Sequence, residues 1–342
     1  MYLISVYFPF AFVFAFLYTM DHKDLIISTL DKLRMNEMHS FDPSAKFKVI
    51  AYNKAIASIR GMARAIHSIE DVKGLPGIGP KISAKIDEII ETGRLRAAAT
   101  RAASVEHLMK VHGIGPVKAH DLIMFGIQDI ATLRAAVHSN PAILNKTQTI
   151  GLRHYEDGCL RIPRAEIEEH NIQLSSSIKS PLKYTIAGSY RRGAETSGDI
   201  DVLISYDHIE DDRASIEFQN IITNMESRGY IIDTLVRGDT KWMGYVRLRP
   251  DLPARRLDLL LVPPESYPYT ILYFTGFDKF NVAMRGYCHT LGYSLNEHCL
   301  SHRYSGDPCM TVMTCEEDIF EFLGLKYIHP HERIDARQII TT

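Results

Sequence analysis

Apolar residues recur every three or four positions through DLIISTLDKL, KVIAYNKAIASIRGMARAI and PKISAKIDEIIETG, which predicts helices from Asp21 to about Ala103. Glycines such as Gly74 and Gly93 close these segments, as expected of residues that accept a left-handed backbone at a helix end. Helical spacing continues from Ser104 to about Arg164 with short loops. Near Lys183 the period changes. YTIAG, DIDVLISY, YIIDTLV, YVRLR and RLDLLLV are short, rich in Val, Ile, Leu and Tyr, and partly alternating, which predicts strands. ASIEFQNIITNMESRG keeps helical spacing among them and predicts a helix packed on the sheet. From about Pro263 helices and short strands mix. The pattern therefore predicts two helical parts, then an α+β part with a mainly antiparallel sheet.

Length and composition narrow the class. The chain has 342 residues, enough for two or more compact units, and 46% hydrophobic with 23% charged residues is ordinary for globular protein. The formal net charge is -2, so a nucleic-acid surface would need local clusters of Lys and Arg. Five scattered cysteines (Cys159, Cys288, Cys299, Cys309, Cys315) form no CxxC pair, which argues against a disulfide framework and a zinc site and fits a reducing compartment. The first 20 residues, MYLISVYFPFAFVFAFLYTM, are apolar and uncharged. Three readings stay open for them: a membrane anchor, an unusual targeting segment, or translated sequence before a start at Met20. The self-sufficiency of the sequence after Met20 favours the third.

Two stretches, LPGIGPKISAKI (75–86) and VHGIGPVKAHDL (111–122), repeat a GIGP turn between apolar positions. Glycine allows positive φ and close approach of another backbone, and proline suits the first helical turn. The amides around Gly77, Gly79, Gly113 and Gly115, with Lys81 or Lys118 in the turn that follows, suit a phosphate. A plain helix connector is the rival reading. Two copies favour the helix-hairpin-helix pattern, which grips the sugar-phosphate backbone without reading bases.

GSYRRGAETSGDIDVLI (188–204) carries the chemistry. Asp199 and Asp201 are two apart on a predicted strand and share a face, and Asp258 on the strand RRLDLLLV can supply a third carboxylate. Such a cluster suits two Mg²⁺ ions, with Mn²⁺ as a substitute, and in-line phosphoryl transfer. Gly188 and Ser189 open a helix that can hold β- and γ-phosphates, with Arg192 beside them. A lone DxD is usually a solvated acidic pair; the Gly-Ser turn and the later Asp make this one specific.

GSYRRGAETSGDIDVL resembles the nucleotidyltransferase motif of family X DNA polymerases, and the likeness runs from about Asp21 to Tyr327. LPGIGPKISAKIDEIIETGRLR, TIGLRHYED, RIPRAEI, DTKWMG, RRLDLLLV, LYFTGFDKFNVAMR and SLNE follow in the family's order. The resemblance implies an α+β multidomain fold: a helical N-terminal lyase-like domain with helix-hairpin-helix motifs, then a polymerase-beta-like nucleotidyltransferase with an antiparallel-sheet palm. The expected parts are an apolar extension (1–20), a lyase-like domain (21–103), a helical DNA-binding subdomain (104–164), a palm (165–272) and a nucleotide-selecting subdomain (273–342).

By resemblance, Asp199, Asp201 and Asp258 hold the metals, and Arg161, Gly188, Ser189, Arg192 and Gly198 surround a triphosphate. Tyr273, Phe274 and Gly276 lie against the sugar, Asp278 and Asn281 border the nascent base pair, Arg285 senses the template strand and Glu297 joins the closing network. Lys241 and Arg256 contact DNA, and Arg256 also positions Asp258. Taken singly, Tyr273 and Phe274 also fit core aromatics and Arg161 a structural cap, while Arg285 and Glu297 read first as solvated surface; their order within LYFTG, FN, MR and NE is what lifts them. Backbone carbonyls of Lys73, Leu75, Ile78, Met109, Val111 and Ile114 are expected to hold Na⁺ or K⁺ at the hairpins. Lys85 is the expected Schiff-base nucleophile of a deoxyribose-phosphate lyase, one helical turn from Lys81, with Lys48, Tyr52, Lys54 and Lys73 completing a pocket for a 5′-phosphate. Phe47, Ala84 and Ala97 depart from the family there, and Phe277 replaces a small polar residue of the family's TGSD. The implied partners are gapped or nicked double-stranded DNA, dNTPs and other DNA-repair proteins. The implied state is a monomer in the nucleus, with a mitochondrial or viral setting as alternatives. A template-independent transferase is the nearer rival, disfavoured by the short connection in WMGYVRLRPDLPARRLD; a DNA-end scaffold with a dead site is the other, disfavoured by three intact carboxylates.

Overall fold

A computed structural model describes residues 21–38, 44–93 and 95–333, so the apolar extension 1–20 lies outside the described residues. Two compact units divide the chain, Met1–Gln148 and Thr149–Thr342. Among the described residues no helix is long and apolar enough to cross a membrane.

The first unit is helical. Helices α1 (Lys23–Met38), α2 (Ala45–Arg60) and α3 (Pro80–Thr92) meet over a core that includes Ile26, Leu30, Ile56, Ile59, Ile86 and Ile89. In α3 the buried residues are Ile82, Ile86, Ile89 and Ile90, one stripe that leaves Lys81 exposed and Lys85 half-buried on the remaining surface. Helices α4 (Arg96–Met109), α5 (Pro116–Met124), α6 (Ile130–Ser139) and α7 (Lys146–Arg153) follow.

The two GIGP turns have one backbone geometry. Gly77 and Gly113 take φ of +88° and +86°, while Gly79 and Gly115 both sit at φ −87°, ψ 177° before Pro80 and Pro116. The amides of Ile78 and Ile114 donate to Leu75 O and Val111 O, each at 3.0 Å. Their surroundings differ. A Cβ on Gly77 would sit 2.8 Å from the Ala55 backbone nitrogen, whereas one on Gly113 would meet the side chains of Gln148 and Thr147 at 3.2 Å.

The second unit centres on five strands: β2 (Leu182–Ile186), β4 (Ile200–Tyr206), β5 (Ile231–Arg237), β6 (Lys241–Val246) and β7 (Arg255–Leu261); the short β1 (Ile162–Pro163) and β3 (Thr196–Ser197) pair separately. The sheet order is β2-β4-β7-β6-β5, antiparallel throughout except for the parallel pair β4–β7. Between them run α8 (Tyr155–Gly158), α9 (Arg164–Ser177), α10 (Gly188–Arg191) and α11 (Asp211–Ser227). One sheet face, with Val202, Ile204, Leu257 and Leu259, packs on Leu174 of α9 and Phe218, Ile222 and Met225 of α11. The helix expected at ASIEFQNIITNMESRG is thus α11. After the sheet, α12 (Tyr267–Thr275), α13 (Asp278–Thr290), β8 (Tyr293–Leu295), β9 (Leu300–His302) and α14 (Glu316–Phe322) enclose a core that includes Phe280, Met284, Ile319 and Phe320.

Two expected strand boundaries shift. The strand expected at YVRLR is β6, which starts at Lys241 and ends at Val246; Arg247 then donates to Tyr230 O at 2.9 Å and the chain leaves the ladder. Gly244 interrupts the alternation of Trp242 and Val246 in the sequence, yet a Cβ there would overlap Asp233 O, so the close approach of β5 demands glycine. Asp199, expected on the strand, lies one residue before β4.

The contrast between the hairpins is testable. Gly77→Ala forces alanine to positive φ and against backbone, and should lower stability by about 2 kcal/mol or more. Gly113→Ala meets movable side chains and should cost about 1 kcal/mol. Urea denaturation of the full chain compares the two, and equal losses contradict the packing argument.

Candidate active site

The parallel pairing of β4 and β7 places Asp201 opposite Asp258. On β7 the residues alternate, Leu257, Leu259 and Leu261 entering the core while Arg256 and Asp258 turn to the other face. With Asp199 just ahead of β4, three carboxylates bring one oxygen each within 4.8 Å of one another. The head of β7 is anchored by Arg255, which is buried and donates to both oxygens of Glu166 on α9, at 2.6 and 2.8 Å.

The cluster is electrostatically uncomfortable. Burial first, then repulsion from Asp199 and Asp258, pushes the Asp201 carboxyl up to about 7, against the pull of Arg256 and Arg192. Burial likewise pushes Asp258 up to about 6, although Arg256 opposes it. Arg256 Nη2 donates to both Asp258 oxygens, at 2.8 and 2.7 Å, and lies 3.7 Å from Asp199. One guanidinium leaves the trio with surplus negative charge, and oxygen-only donors with that surplus fit a hard divalent cation. Asp199, Asp201 and Asp258 could hold it.

The turn beside the carboxylates is built to fit them. Gly188 has φ +58° and a Cβ on it would overlap Asp201 Oδ2, so only glycine lets α10 sit against the acid. Ser189 Oγ donates to Ser197 Oγ at 2.8 Å. Arg161 is tied to Thr196, through Nη2 to its carbonyl at 2.6 Å and Nε to its hydroxyl at 3.1 Å, and a Cβ on Gly198 would lie 3.4 Å from Arg161 Nη1. Arg161, Ser189 and Gly198 therefore border one small region. Arg192 reaches away to α12, where Nη1 donates to Thr275 O at 2.7 Å and Gly276 O at 3.1 Å.

A cavity of about 380 Å³ gathers Arg192, Tyr273, Phe274, Gly276, Asp278, Asn281 and Arg285, together with the divergent Phe277, all expected, and adds Val282. Asn281 Nδ2 donates to Tyr273 O at 2.8 Å, and Gly276 is glycine because a Cβ would overlap Asn281. Arg285 lies 4.9 Å from the Tyr273 ring centre and 3.3 Å from Glu297 Oε2. Sequence reasoning missed Val282, although Asp278, Asn281, Val282 and Arg285 share one face of α13 by spacing alone.

Four family models match in order: Helix-hairpin-helix domain over 21–95, Fingers domain of DNA polymerase lambda over 106–158, DNA polymerase beta palm over 161–264 and DNA polymerase beta thumb over 270–334. The chain belongs to family X of the DNA polymerases. It is 33% identical to DNA polymerase lambda of Rattus norvegicus over 84% of its own length and 52% of that protein. It is 26% identical to DNA polymerase lambda of Arabidopsis thaliana over 83% of itself and 57% of that chain. To DNA nucleotidylexotransferase of Xenopus laevis it is 27% identical, over 84% of itself and 64% of that chain. The chain thus spans between half and two thirds of these relatives. Family X polymerases use divalent metals, in keeping with the surplus charge of the trio.

The helix-hairpin-helix part of this family X chain is less uniformly basic than expected. Lys48 pairs with Glu37 at 3.2 Å and Lys73 with Glu70 at 2.9 Å, two carboxylates that sequence reasoning left out. Tyr52 is buried in the helical core; burial pushes its hydroxyl pKa up, Glu37 adds to that and Lys48 opposes it. Phe47 is 65% exposed on α2. The side chain of Ala97 lies outside the described residues. A groove of about 710 Å³ opens along Leu75, Gly77, Ile78, Gly79 and Lys81. The carbonyls of Leu75 and Val111 already accept one amide each, and each keeps a second lone pair.

Metal and proton compete at the acid trio. Without metal, the raised Asp201 and Asp258 favour folding at low pH, and that contribution is lost as pH rises from the ordinary carboxylate value of 3.8 toward about 7. Asp201→Asn should therefore melt higher than the unsubstituted protein at pH 8 in EDTA, and the gap should close near pH 4. Added Mg²⁺ should raise the melting temperature of the unsubstituted protein at pH 8 more than that of the variant. Thermal shift across pH, with and without Mg²⁺, reads both effects; a variant that melts lower at pH 8 contradicts the repulsion.

Proposed function

We propose that this chain is a DNA-directed DNA polymerase that fills short gaps in base excision repair, and that its first helical part is a 5′-deoxyribose-phosphate lyase. The observation that carries the polymerase reading is the convergence of Asp199, Asp201 and Asp258 beside a glycine turn shaped to Asp201. Gapped or nicked duplex DNA and dNTPs are the substrates, and a nuclear monomer working with other repair proteins follows from that task. The division of labour follows the boundaries read from the sequence: 21–103 for the lyase, 104–164 for DNA binding, 165–272 for the chemistry and 273–342 for nucleotide selection.

When bound at the three carboxylates, two Mg²⁺ ions would acidify the primer 3′-hydroxyl and offset the charge of the triphosphate. The chain's own groups do the rest. Ser189, Arg161, Arg192 and the backbone of Gly188 and Gly198 hold the triphosphate. Arg256 keeps Asp258 aimed and, with Lys241, meets the primer strand. Tyr273, Phe274 and Gly276 lie along the sugar, where the Tyr273 carbonyl is fixed by Asn281. Asp278 and Asn281 border the base pair, and Arg285, poised between Tyr273 and Glu297, reports on the template. The short link between β6 and β7 supports templated over template-independent synthesis.

Backbone grip has its own support. At Gly79 and Gly115 the backbone is extended and a Cβ would meet nothing in the protein. The surface at both glycines is therefore open, and a phosphate backbone could approach the amides that start the two helices. Na⁺ or K⁺ at the carbonyls of Lys73, Leu75 and Ile78, and of Met109, Val111 and Ile114, would bridge hairpin and phosphate. In the lyase, the Lys85 amine adds to the open-ring aldehyde of the abasic sugar and water leaves to give the Schiff base; loss of a C2′ proton then breaks the 3′ C–O bond and frees the 5′-phosphate end of the DNA, while Lys81 and Lys48 hold the 5′-phosphate.

Asp258→Ala should abolish nucleotide incorporation on a one-nucleotide gap while gap-DNA affinity, read by fluorescence anisotropy, changes less than about threefold. Comparable primer extension by the variant removes Asp258 from the chemistry. Borohydride should trap the protein on 5′-deoxyribose-phosphate DNA, and Lys85→Ala should cut trapping at least tenfold with gap filling intact. Equal trapping by both proteins moves the nucleophile elsewhere.

A further inference from the structure

Phe277 occupies the position just before α13, where a short polar side chain would ordinarily cap the helix, and it makes no cap hydrogen bond. Such a cap is worth about 1 kcal/mol, so phenylalanine forgoes stability there. Its ring is half-buried against the core of α13 and α14 and also lines the 380 Å³ cavity. The Arg192 guanidinium lies 5.7 Å from the ring centre, within cation–π range.

Arg192 is held from two sides. Its Nη1 carries the bonds to Thr275 O and Gly276 O, at 2.7 and 3.1 Å, which leaves the donors of Nη2 and Nε available to an anion. Burial lowers the pKa of the guanidinium, while Asp201 and Asp278 on either side favour its charge. The neighbouring Arg191 is fastened independently, through Nη1 to Thr275 Oγ1 at 2.7 Å and Nη2 to Glu316 at 2.6 Å. The α10 turn therefore keeps its place without Phe277, and what the ring controls is the Arg192 head group.

We propose that Phe277 is a positioning residue for the incoming nucleotide: its ring clamps the Arg192 guanidinium against the Thr275 and Gly276 carbonyls and so sets the grip on the triphosphate. This rests on the reading that Arg192 touches the triphosphate. Leucine fills much of the same space but lacks the electron-rich face, so it separates packing from cation–π attraction.

The test is single-nucleotide incorporation of dTTP opposite template A by the full chain, with KM and kcat measured for each variant. Phe277→Leu should raise KM about three- to tenfold with kcat within about twofold. Phe277→Tyr should bring KM back to within about twofold of the unsubstituted protein. Arg192→Gln should raise KM by itself, and adding Phe277→Leu to it should raise KM no further. If Phe277→Leu leaves KM unchanged while Arg192→Gln raises it, the clamp is wrong and the triphosphate reading stands. If the Phe277→Leu penalty persists in full on Arg192→Gln, the ring acts by another route and the clamp is also wrong. If Arg192→Gln leaves KM unchanged, the triphosphate reading falls and takes the clamp with it.

Discussion

Three carboxylates held within reach of one another repel, and the rest of the second unit is arranged to hold them there anyway. The parallel pairing of β4 with β7 sets Asp201 against Asp258, and the leucines that alternate with Arg256 and Asp258 lock β7 into the core. The Glu166–Arg255 pair pins the head of that strand. Burial first, and mutual repulsion after it, raises the Asp201 and Asp258 carboxyl pKa values, a cost that a bound cation would relieve. Apolar burial in the same strands supplies the stability that makes the arrangement tolerable.

The glycines divide by what demands them. Gly188, Gly244 and Gly276 are forced by atoms of the protein itself: Asp201 Oδ2, the Asp233 carbonyl and the Asn281 amide. Gly79 and Gly115 face open space with ordinary dihedral angles. Gly188 shapes the acid site, Gly276 its neighbouring cavity and Gly244 the contact with β5, while Gly79 and Gly115 leave open surface at the starts of two helices. The repeated motif thus mixes glycines fixed by positive φ and packing with glycines that neither constrains.

Much of this was legible in the sequence because periodicity reports burial. The isoleucines of α3, the alternation of β7 and the apolar stripe of α11 all reflect one buried face. The motifs marked the acid trio, and pairing across β4 and β7 assembled it. Less legible was whatever depends on neighbours distant in sequence. Gly244 disguised β6 because its reason lies on β5. The Glu37–Lys48 pair depends on how α1 and α2 pack, whereas Glu70–Lys73 is a local i,i+3 pair that spacing alone could have shown. The departure at Phe277 pointed to the nucleotide pocket, but its contact with Arg192, 85 positions earlier, is visible only in the fold.

The parallel β4–β7 contact has a consequence for how the molecule comes into being. Parallel neighbours cannot be joined by a tight turn, and here α11, β5 and β6 intervene between the two acid-bearing strands. Closing that span costs chain entropy before any of its contacts return stability, so the acid-bearing pair is among the slower contacts to form. A nascent chain halted after β6 holds two of the three carboxylates with no partner strand between β4 and β6. The grouping of three carboxylates therefore arrives late in synthesis, and a product truncated there carries Asp199 and Asp201 without the Asp258 that completes the cluster.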